Sequence, residues 1–435
     1  MSAAHAQTPG GSGGGPDETI LVSRPSGSGA LANGDSFHTT ISGNGNRVTF
    51  MSTGDNLVPG DNNNQFDIFV RDVSSATTTI VSRSAGFGPP NSDGRSSWPA
   101  ISADGRYVAF QSFADNLVRG DINRKADIFV RDLKAGTTRL VSRPSRGRAL
   151  GDGNSLDPAI SAHGRFVAYQ SFADNLVARD TNRRADVFVT DLKTGRTRLV
   201  SGPGRRPRVS ADGEADNPAL SASGRYVAFE STAGNLTPGD HNHVEDVYLH
   251  DVRTGRTHLV SRSRRSGSSS GDGPSYMASV SADGHLVAFA SRATNLVPDD
   301  TDRAEDVFVW NLRTGRTQLA SVRTHGGAAP TAPSNRTIYP SLSASGRYLA
   351  FHSDANDIVP GDSNAIGDVF VRDLRTGTTR LVSRPNGSQT EAANNYSGGP
   401  LIAADGRYVA FASFADNLAV GDTNQVADIF RRRVR

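Results

Sequence analysis

The stretch that decides the fold is Ser102-Ala103-Asp104-Gly105-Arg106-Tyr107-Val108-Ala109-Phe110-Gln111-Ser112. It continues through Ala114-Asp115-Asn116-Leu117 and Gly120-Asp121-Ile122-Asn123, and closes on Asp127-Ile128-Phe129-Val130-Arg131-Asp132-Leu133. Versions of it recur along the whole chain. The aspartate that opens the last segment returns at Asp67, Asp127, Asp186, Asp246, Asp306, Asp368 and Asp428, at steps of 60, 59, 60, 60, 62 and 60 residues. Self-similarity at a fixed period means one modular body, and this outweighs the two or three domains that 435 residues would otherwise suggest.

Each unit reads as four strands. The first is short, as in Pro99-Ala100-Ile101-Ser102, and an Asp-Gly turn at Asp104-Gly105 leads into the second, Tyr107 to Ser112. The third is Asp127 to Leu133, and a glycine turn at Gly136 leads to the fourth, Thr137 to Arg143. The two middle strands are almost continuously apolar, the pattern of strands buried on both faces. The fourth is more polar and carries arginine, as suits an exposed edge. Four-stranded units stacked through both faces and repeated radially make a β-propeller.

The strand count predicts how the ring closes. The seventh unit ends at Arg431-Arg432-Arg433-Val434-Arg435, without a fourth strand, while Thr19-Ile20-Leu21-Val22-Ser23-Arg24 stands alone near the start. That orphan repeats the fourth-strand text, Leu-Val-Ser-Arg included. The expectation is an all-β, seven-bladed propeller over 19–435, closed by the N-terminal strand in a one-plus-three blade. Residues 1–18 read as a disordered Gly/Ser-rich tail.

Composition agrees with many short strands and turns: 46 glycines, 21 prolines and 7% aromatics. No apolar run is long enough to span a membrane. The absence of cysteine excludes disulfides, thiolate metal sites and cysteine nucleophiles. Only Lys125, Lys134 and Lys193 are lysines, so arginine supplies nearly all of the 47 basic residues and the net charge of +3. Its planar fork suits carboxylate, sulfate or phosphate groups, although codon bias alone gives the same excess.

Ser-Ala-Asp-Gly-Arg-Tyr-Val-Ala-Phe followed by Asp-Ile-Phe-Val-Arg-Asp-Leu resembles the WD40-like (PD40) repeat of TolB-type propellers, over essentially residues 19 to 435. The resemblance implies the fold and an exported protein; the motif is specific for the fold and says little of function. It departs from the TolB pattern in having seven units and no segment able to form an N-terminal α/β domain. Some propellers related to that family are polysaccharide lyases with a metal and a histidine cluster. Here the histidines are scattered among the units.

Loops two-to-three and four-to-one are long and emerge on one face, which should be the working face. The two-to-three loop carries Asp-x-Asn-x-x-x-Asp or a close variant in every unit. The sets are Asp61/Asn63/Asp67, Asp121/Asn123/Asp127, Asp180/Asn182/Asp186, Asp240/Asn242/Asp246, Asp300/Asp302/Asp306, Asp362/Asn364/Asp368 and Asp422/Asn424/Asp428. Alternating carboxylate and amide oxygens in a turn suit calcium, which takes six to eight oxygen ligands. The glycine and distal glutamate of an EF-hand are absent, and Asx side chains bonding to nearby backbone N–H groups would equally hold a long turn. Both readings stand.

Four-to-one loops carry Arg143/Arg146/Arg148, Arg205/Arg206/Arg208 and Arg262/Arg264/Arg265. Such an arc suits an acidic glycan or another polyanion. Nucleic acid is not expected, for want of interleaved aromatics or a recognition module. Trp98, Tyr276 and Tyr339, just before first strands, are candidates for a sugar-stacking rim or for packing. Gly267-Ser268-Ser269-Ser270-Gly271 matches a nucleophile elbow only as text, because no strand-to-helix context surrounds it. His241-x-His243 beside Asp240 and Asp246 offers transition-metal ligands at positions that vary from unit to unit. The expectation is a non-enzymatic, exported monomer without catalytic residues. It binds a protein or an acidic glycan on its loop-rich face, with calcium in the loops. The alternative is a polysaccharide lyase or hydrolase working at the mouth of the central channel.

Overall fold

The computed structural model describes residues 17–435 except 28, 85–91, 146–148, 179, 204–210, 265–268, 299, 301–302, 324–334, 361, 363 and 389–390. The tail expected over 1–18 therefore lies, up to residue 16, outside the described residues, as do Asp302, Arg146, Arg148, Arg205, Arg206, Arg208, Arg265, Gly267 and Ser268.

Seven antiparallel four-stranded sheets form the blades of a ring. Blades 1 to 6 span 36–80, 96–140, 155–199, 215–259, 275–319 and 337–381, and blade 7 combines 397–433 with 19–21. Thr19–Leu21 lies beside Asp428–Arg433, Thr19 facing Arg432 and Leu21 facing Phe430. This is the expected one-plus-three closure. Among the described residues no helix is long and apolar enough to cross a membrane.

The shared Leu-Val-Ser text has a physical reason. In blade 2 the Ser142 hydroxyl donates to Asp127 Oδ1 at 2.5 Å and accepts the Ile128 N–H at 2.9 Å, tying the fourth strand to the start of the third. At the closure Ser23, from the other end of the chain, makes the same pair with Asp428 (2.5 Å) and Ile429 (2.9 Å). Arg432, almost wholly buried, adds bonds to Thr19 Oγ1 at 2.7 Å and to the Arg384 carbonyl at 2.6 Å.

The middle strands carry the core. Each blade stacks a second-strand ring on a third-strand ring, as Phe110 on Phe129 at 5.8 Å and Phe229 on Tyr248 at 5.5 Å. The blades then sandwich: Val108, Phe110 and Phe129 of blade 2 pack on Ile68, Val70 and Val81 of blade 1. At roughly 1.5–3 kcal/mol for each fully buried side chain, these layers rather than the short strands' own hydrogen bonds hold the ring. The hairpin turn of each blade seats a side chain of the blade before, an aromatic ring in five of the seven. Gly164 has φ +69°, and a Cβ there would sit 2.1 Å from the Tyr107 ring, so only glycine fits.

One element differs from expectation. The first strand of blade 2 begins at Ser96 rather than Pro99, and its pairing slips between Ser97 and Ala100. Trp98, inside the slip, has φ 52°; His38, Asp157, Asn217, Met277, Tyr339 and Gly399 hold the same place and a positive φ in the other blades. This is a β-bulge in all seven inner strands. Pro99, which cannot donate to a ladder, reads as a strand start but sits at the bulge. Trp98, Tyr276 and Tyr339 therefore lie within first strands, not before them.

Candidate functional site: the channel mouth

First strands of successive blades pack on one another around the ring and so line the central channel. Each arrives directly from a four-to-one loop, which puts its opening residues and its bulge at the loop-rich end. The bulge turns one residue per blade out of the ladder, and those residues differ from blade to blade: His38, Trp98, Asp157, Asn217, Met277, Tyr339 and Gly399. The cross-strand pairs behind them vary as well: Phe37 with Met51, Ser97 with Gln111, Leu156 with Gln170, Asp216 with Glu230, Tyr276 with Ala290, Ile338 with His352 and Gly398 with Ala412. An otherwise repeated frame thus carries an unrepeated mouth.

Blades 3 to 5 make it acidic. Asp216 and Glu230 face each other across the first hairpin of blade 4, and Glu245 enters from the end of its two-to-three loop. One oxygen from each of the three lies within 4.8 Å of the others, the only such group of His, Cys, Asp or Glu among the described residues. These three carboxylates could hold a metal ion. Glu230 is 1% exposed; it accepts the Met277 N–H of blade 5 at 2.5 Å and an Asn217 Nδ2 proton at 2.9 Å. Gln111 caps the bulge of its own neighbour in the same way, accepting the Asp157 N–H at 2.9 Å.

Burial pushes Asp157 up to about 6. Burial, reinforced by Glu245 and Asp157, pushes Asp216 up to about 7. Burial lifts Glu230 well above the usual carboxylate range and raises Glu245 too. No arginine or lysine is among the causes for any of the four. Blade 5 differs. There Glu305, despite the opposing effect of burial, is held down by Arg292 at 2.5 Å and by Tyr276, whose hydroxyl donates to it at 2.9 Å.

The rest of the mouth is aromatic. Trp98 and Tyr339 at bulges, Tyr396 just before the first strand of blade 7, and Phe113, Phe172 and Phe414 just after second strands are all exposed. His38 lies against Trp98 with ring centres 3.9 Å apart, and Phe37 meets Phe414 at 6.1 Å. His352 is fully buried between Ser397 O and Asp354 Oδ1, each 3.0 Å away, with Tyr396 at 5.2 Å. Exposed apolar rings gathered in one place mark a contact surface.

The Asx loops sit on the same face. Their three positions do come together, with distinct jobs. In blade 2, Asn123 Nδ2 donates to Asp127 Oδ2 at 2.8 Å and to the Gly151 carbonyl of the next blade's entry loop at 3.2 Å, while its own carbonyl accepts the Lys125 N–H at 3.0 Å. Asn63, Asn182 and Asn364 bond Asp67, Asp186 and Asp368 alike, each at 2.8 Å. Asn242 and Asn424 hold their loops in the same manner, beside Asp246 and Asp428. Their amide groups donate to the Gly271 and Ala32 carbonyls at 3.2 and 3.0 Å, and their side-chain oxygens accept the Val244 and Val426 N–H groups at 3.1 and 3.5 Å.

The last aspartate of each set is fully buried, and the first, in Asp61, Asp121, Asp180, Asp240, Asp300, Asp362 and Asp422, is nearly so. None of these loops brings three carboxylate or imidazole groups within metal distance of one another among the described residues. His241 and His243 are exposed and join no metal-sized group. Of the arginine arc, Arg262 turns outward, over the Trp310 ring at 5.8 Å and onto the Gly315 carbonyl.

Constancy between repeats led to the Asx loops and the strands. The mouth carboxylates are legible only when the same repeats are aligned for what changes.

No family model and no curated protein matches the chain. Solved structures do. The oligogalacturonate lyase of Vibrio parahaemolyticus matches with TM-score 0.54 at 11% identity over 97% of this chain and 99% of its own. An oligogalacturonate lyase in complex with manganese matches with the same TM-score and identity, over 97% and 98%. The β-propeller domain of the Trilobed protease from Pyrococcus furiosus matches with TM-score 0.51 at 10% identity, over 92% and 96%. A TolB from Agrobacterium tumefaciens is found at TM-score 0.39 and 16% identity, over 65% and 79%. At these identities the likeness is one of fold, and the fold is a seven-bladed β-propeller.

Proposed function

We propose that this protein is a non-enzymatic, exported binding propeller whose site is the loop-rich mouth of the channel. Its ligand is a protein segment that presents a lysine or arginine to Asp157, Asp216 and Glu245 and lays its apolar stem against the neighbouring rings. The observation that carries this reading is the crowding of half-buried carboxylates, with no arginine or lysine acting on them among the described residues, beside exposed aromatics. A guanidinium or ammonium satisfies both halves, by charge-assisted hydrogen bonds and by cation–π contact. An acidic glycan would be repelled there unless a metal ion bridged it.

That exception gives the second reading, a carbohydrate-active enzyme. Carboxylates lifted toward neutrality are suited to moving protons. The Asp216/Glu230/Glu245 group has the donor chemistry for a divalent ion, and one propeller of similar fold is an oligogalacturonate lyase complexed with manganese.

Calorimetric titration with short arginine-bearing peptides at low salt, beside polygalacturonate with and without manganese, separates the two. Peptide binding that falls at least about tenfold in Asp216→Asn/Glu245→Gln supports the first reading, since a lost charge-assisted bond to a charged partner costs roughly 1.5–3 kcal/mol. Manganese-dependent cleavage of polygalacturonate, lost in the same variant, would replace it with the second.

A further inference from the structure

Two neighbouring blades bury carboxylate oxygens that make no well-formed hydrogen bond to the protein. In blade 2, Asp121 is 3% exposed and its Oδ1 has no hydrogen-bond partner; in blade 3, Asp180 is 4% exposed and neither oxygen has one. Asp115 Oδ1 and Asp174 Oδ1, at the start of the same loops, are also buried without partners. Like charges crowd the pairs. After burial itself, Asp127, Asp115 and Asp93 raise Asp121, and Asp174 and Asp152 raise Asp180, outweighing the nearby Asn123 and Asn182 N–H groups and, for Asp180, the Asp186 carboxyl, which lower them.

Other blades relieve the crowding with a donor to one or another member of the set. In blades 1 and 7 an asparagine stands where blade 2 has Asp93: Asn33 donates to Asp55 and Asn394 to Asp416, each at 2.5 Å. Blade 5 replaces Asp115 with Thr294, whose hydroxyl donates to Asp272 at 2.8 Å. Blade 4 replaces it with Gly234 and changes the third-strand phenylalanine to Tyr248, whose hydroxyl donates to Asp240. Blade 6 has Asn356 at that place; its Asp362 also lacks partners, but the adjacent Asp357 already has a cation in Arg323, at 2.9 Å. Only blades 2 and 3 keep aspartate at all of these positions together with phenylalanine, as Phe129 and Phe188. Where the donor is missing, a cation belongs.

We propose that the loops of blades 2 and 3 each bind one oxygen-preferring divalent cation of the calcium class, through Asp115 and Asp121 in one and Asp174 and Asp180 in the other. Asp93 and Asp152 add negative charge beside them, and backbone carbonyls and water complete a shell of six to eight oxygens. Asn123 with Asp127, and Asn182 with Asp186, are the frame rather than the ligands, because their polar atoms are spent on each other and on the backbone. The repeated pattern is thus a turn device in every blade that has kept its metal chemistry in two. This is independent of what binds at the mouth.

The test is calcium binding to the full chain after chelator treatment, read as stoichiometry by calorimetry and as melting temperature. Two equivalents bind, and saturating calcium raises Tm by about 4 °C or more, as a ligand selective for the native state must. Asp115→Gly with Phe129→Tyr, which copies blade 4, reduces the stoichiometry from two to one. Should that variant not fold, Asp121→Asn/Asp180→Asn serves: it binds neither ion, and its Tm no longer responds to calcium. Asp216→Asn/Glu245→Gln retains both loop sites, so an additional ion lost there belongs to the mouth. Absence of calcium binding by the wild type at millimolar concentration, or retention of both ions by the blade-4 copy, overturns the proposal.

Discussion

Replacing Asp216 by asparagine tests the electrostatics of the mouth. In the folded protein this carboxyl keeps its proton up to about 7, whereas the unfolded chain releases it near the ordinary value of 3.8. Between those limits the folded state holds more protons, so the contribution of Asp216 to stability falls as pH rises and levels off above about 7. Asparagine cannot ionise and removes the decline. At roughly 1.4 kcal/mol per unit, the interval from pH 5 to about pH 7 is worth at most ~2.7 kcal/mol. Solvent access at the mouth screens this to about 1–2 kcal/mol. Urea unfolding of wild type and Asp216→Asn in metal-free buffer should therefore show the variant gaining that amount on the wild type between pH 5 and pH 8. Parallel pH profiles for the two proteins would refute the reasoning, because Asp216 would then titrate alike in both states. A cationic ligand reverses the sign: it binds the ionised form, and its affinity drops as pH falls below 7.

Two further outcomes follow from single hydroxyl groups. Ser23→Ala leaves Asp428 Oδ1 and the Ile429 N–H short of a partner at the closure, which should cost about 2–4 kcal/mol in urea unfolding; Ser142→Ala, the same contact within blade 2, should cost as much, and a near-neutral Ser23→Ala beside a costly Ser142→Ala would show that the ends are not locked as a true blade. Tyr248→Phe strips Asp240 of its buried donor and should destabilise by about 1–3 kcal/mol; an unchanged melting temperature would mean that blade 4 does not need the hydroxyl, and would weaken the comparison on which the cation sites rest.

The fold was legible because the packing of each blade demands the same residues. Tyr-Val-Ala-Phe and Ile-Phe-Val must fill both faces, and Ser23 must reach Asp428 as Ser142 reaches Asp127. The front half of each first strand was not legible. Pro99 and a residue at positive φ interrupt the alternation that marks a strand. The mouth was hidden for a related reason: Asp216 and Glu230 are 14 positions apart, and the bulge sets their register. In the Asx loops the residue types were plain from the spacing, but not which polar atoms are already used. That depends on Ser142 from the fourth strand and on carbonyls of the next blade's entry loop, Gly151 for Asn123, Gly271 for Asn242 and, across the closure, Ala32 for Asn424.

The chain contains two tryptophans, and they divide the molecule usefully. Trp98 stands at the mouth, 43% exposed, while Trp310 is buried in a blade at 2%. Intrinsic fluorescence titrated with an arginine-bearing peptide is therefore the most direct measurement of the central claim. Occupancy of the mouth predicts a saturable change in emission with the calorimetric Kd, abolished in Trp98→Phe and weakened at least about tenfold in Asp216→Asn/Glu245→Gln. Calorimetric binding that leaves the Trp98 signal untouched, or an undiminished response in Trp98→Phe, would place the ligand elsewhere and contradict the account.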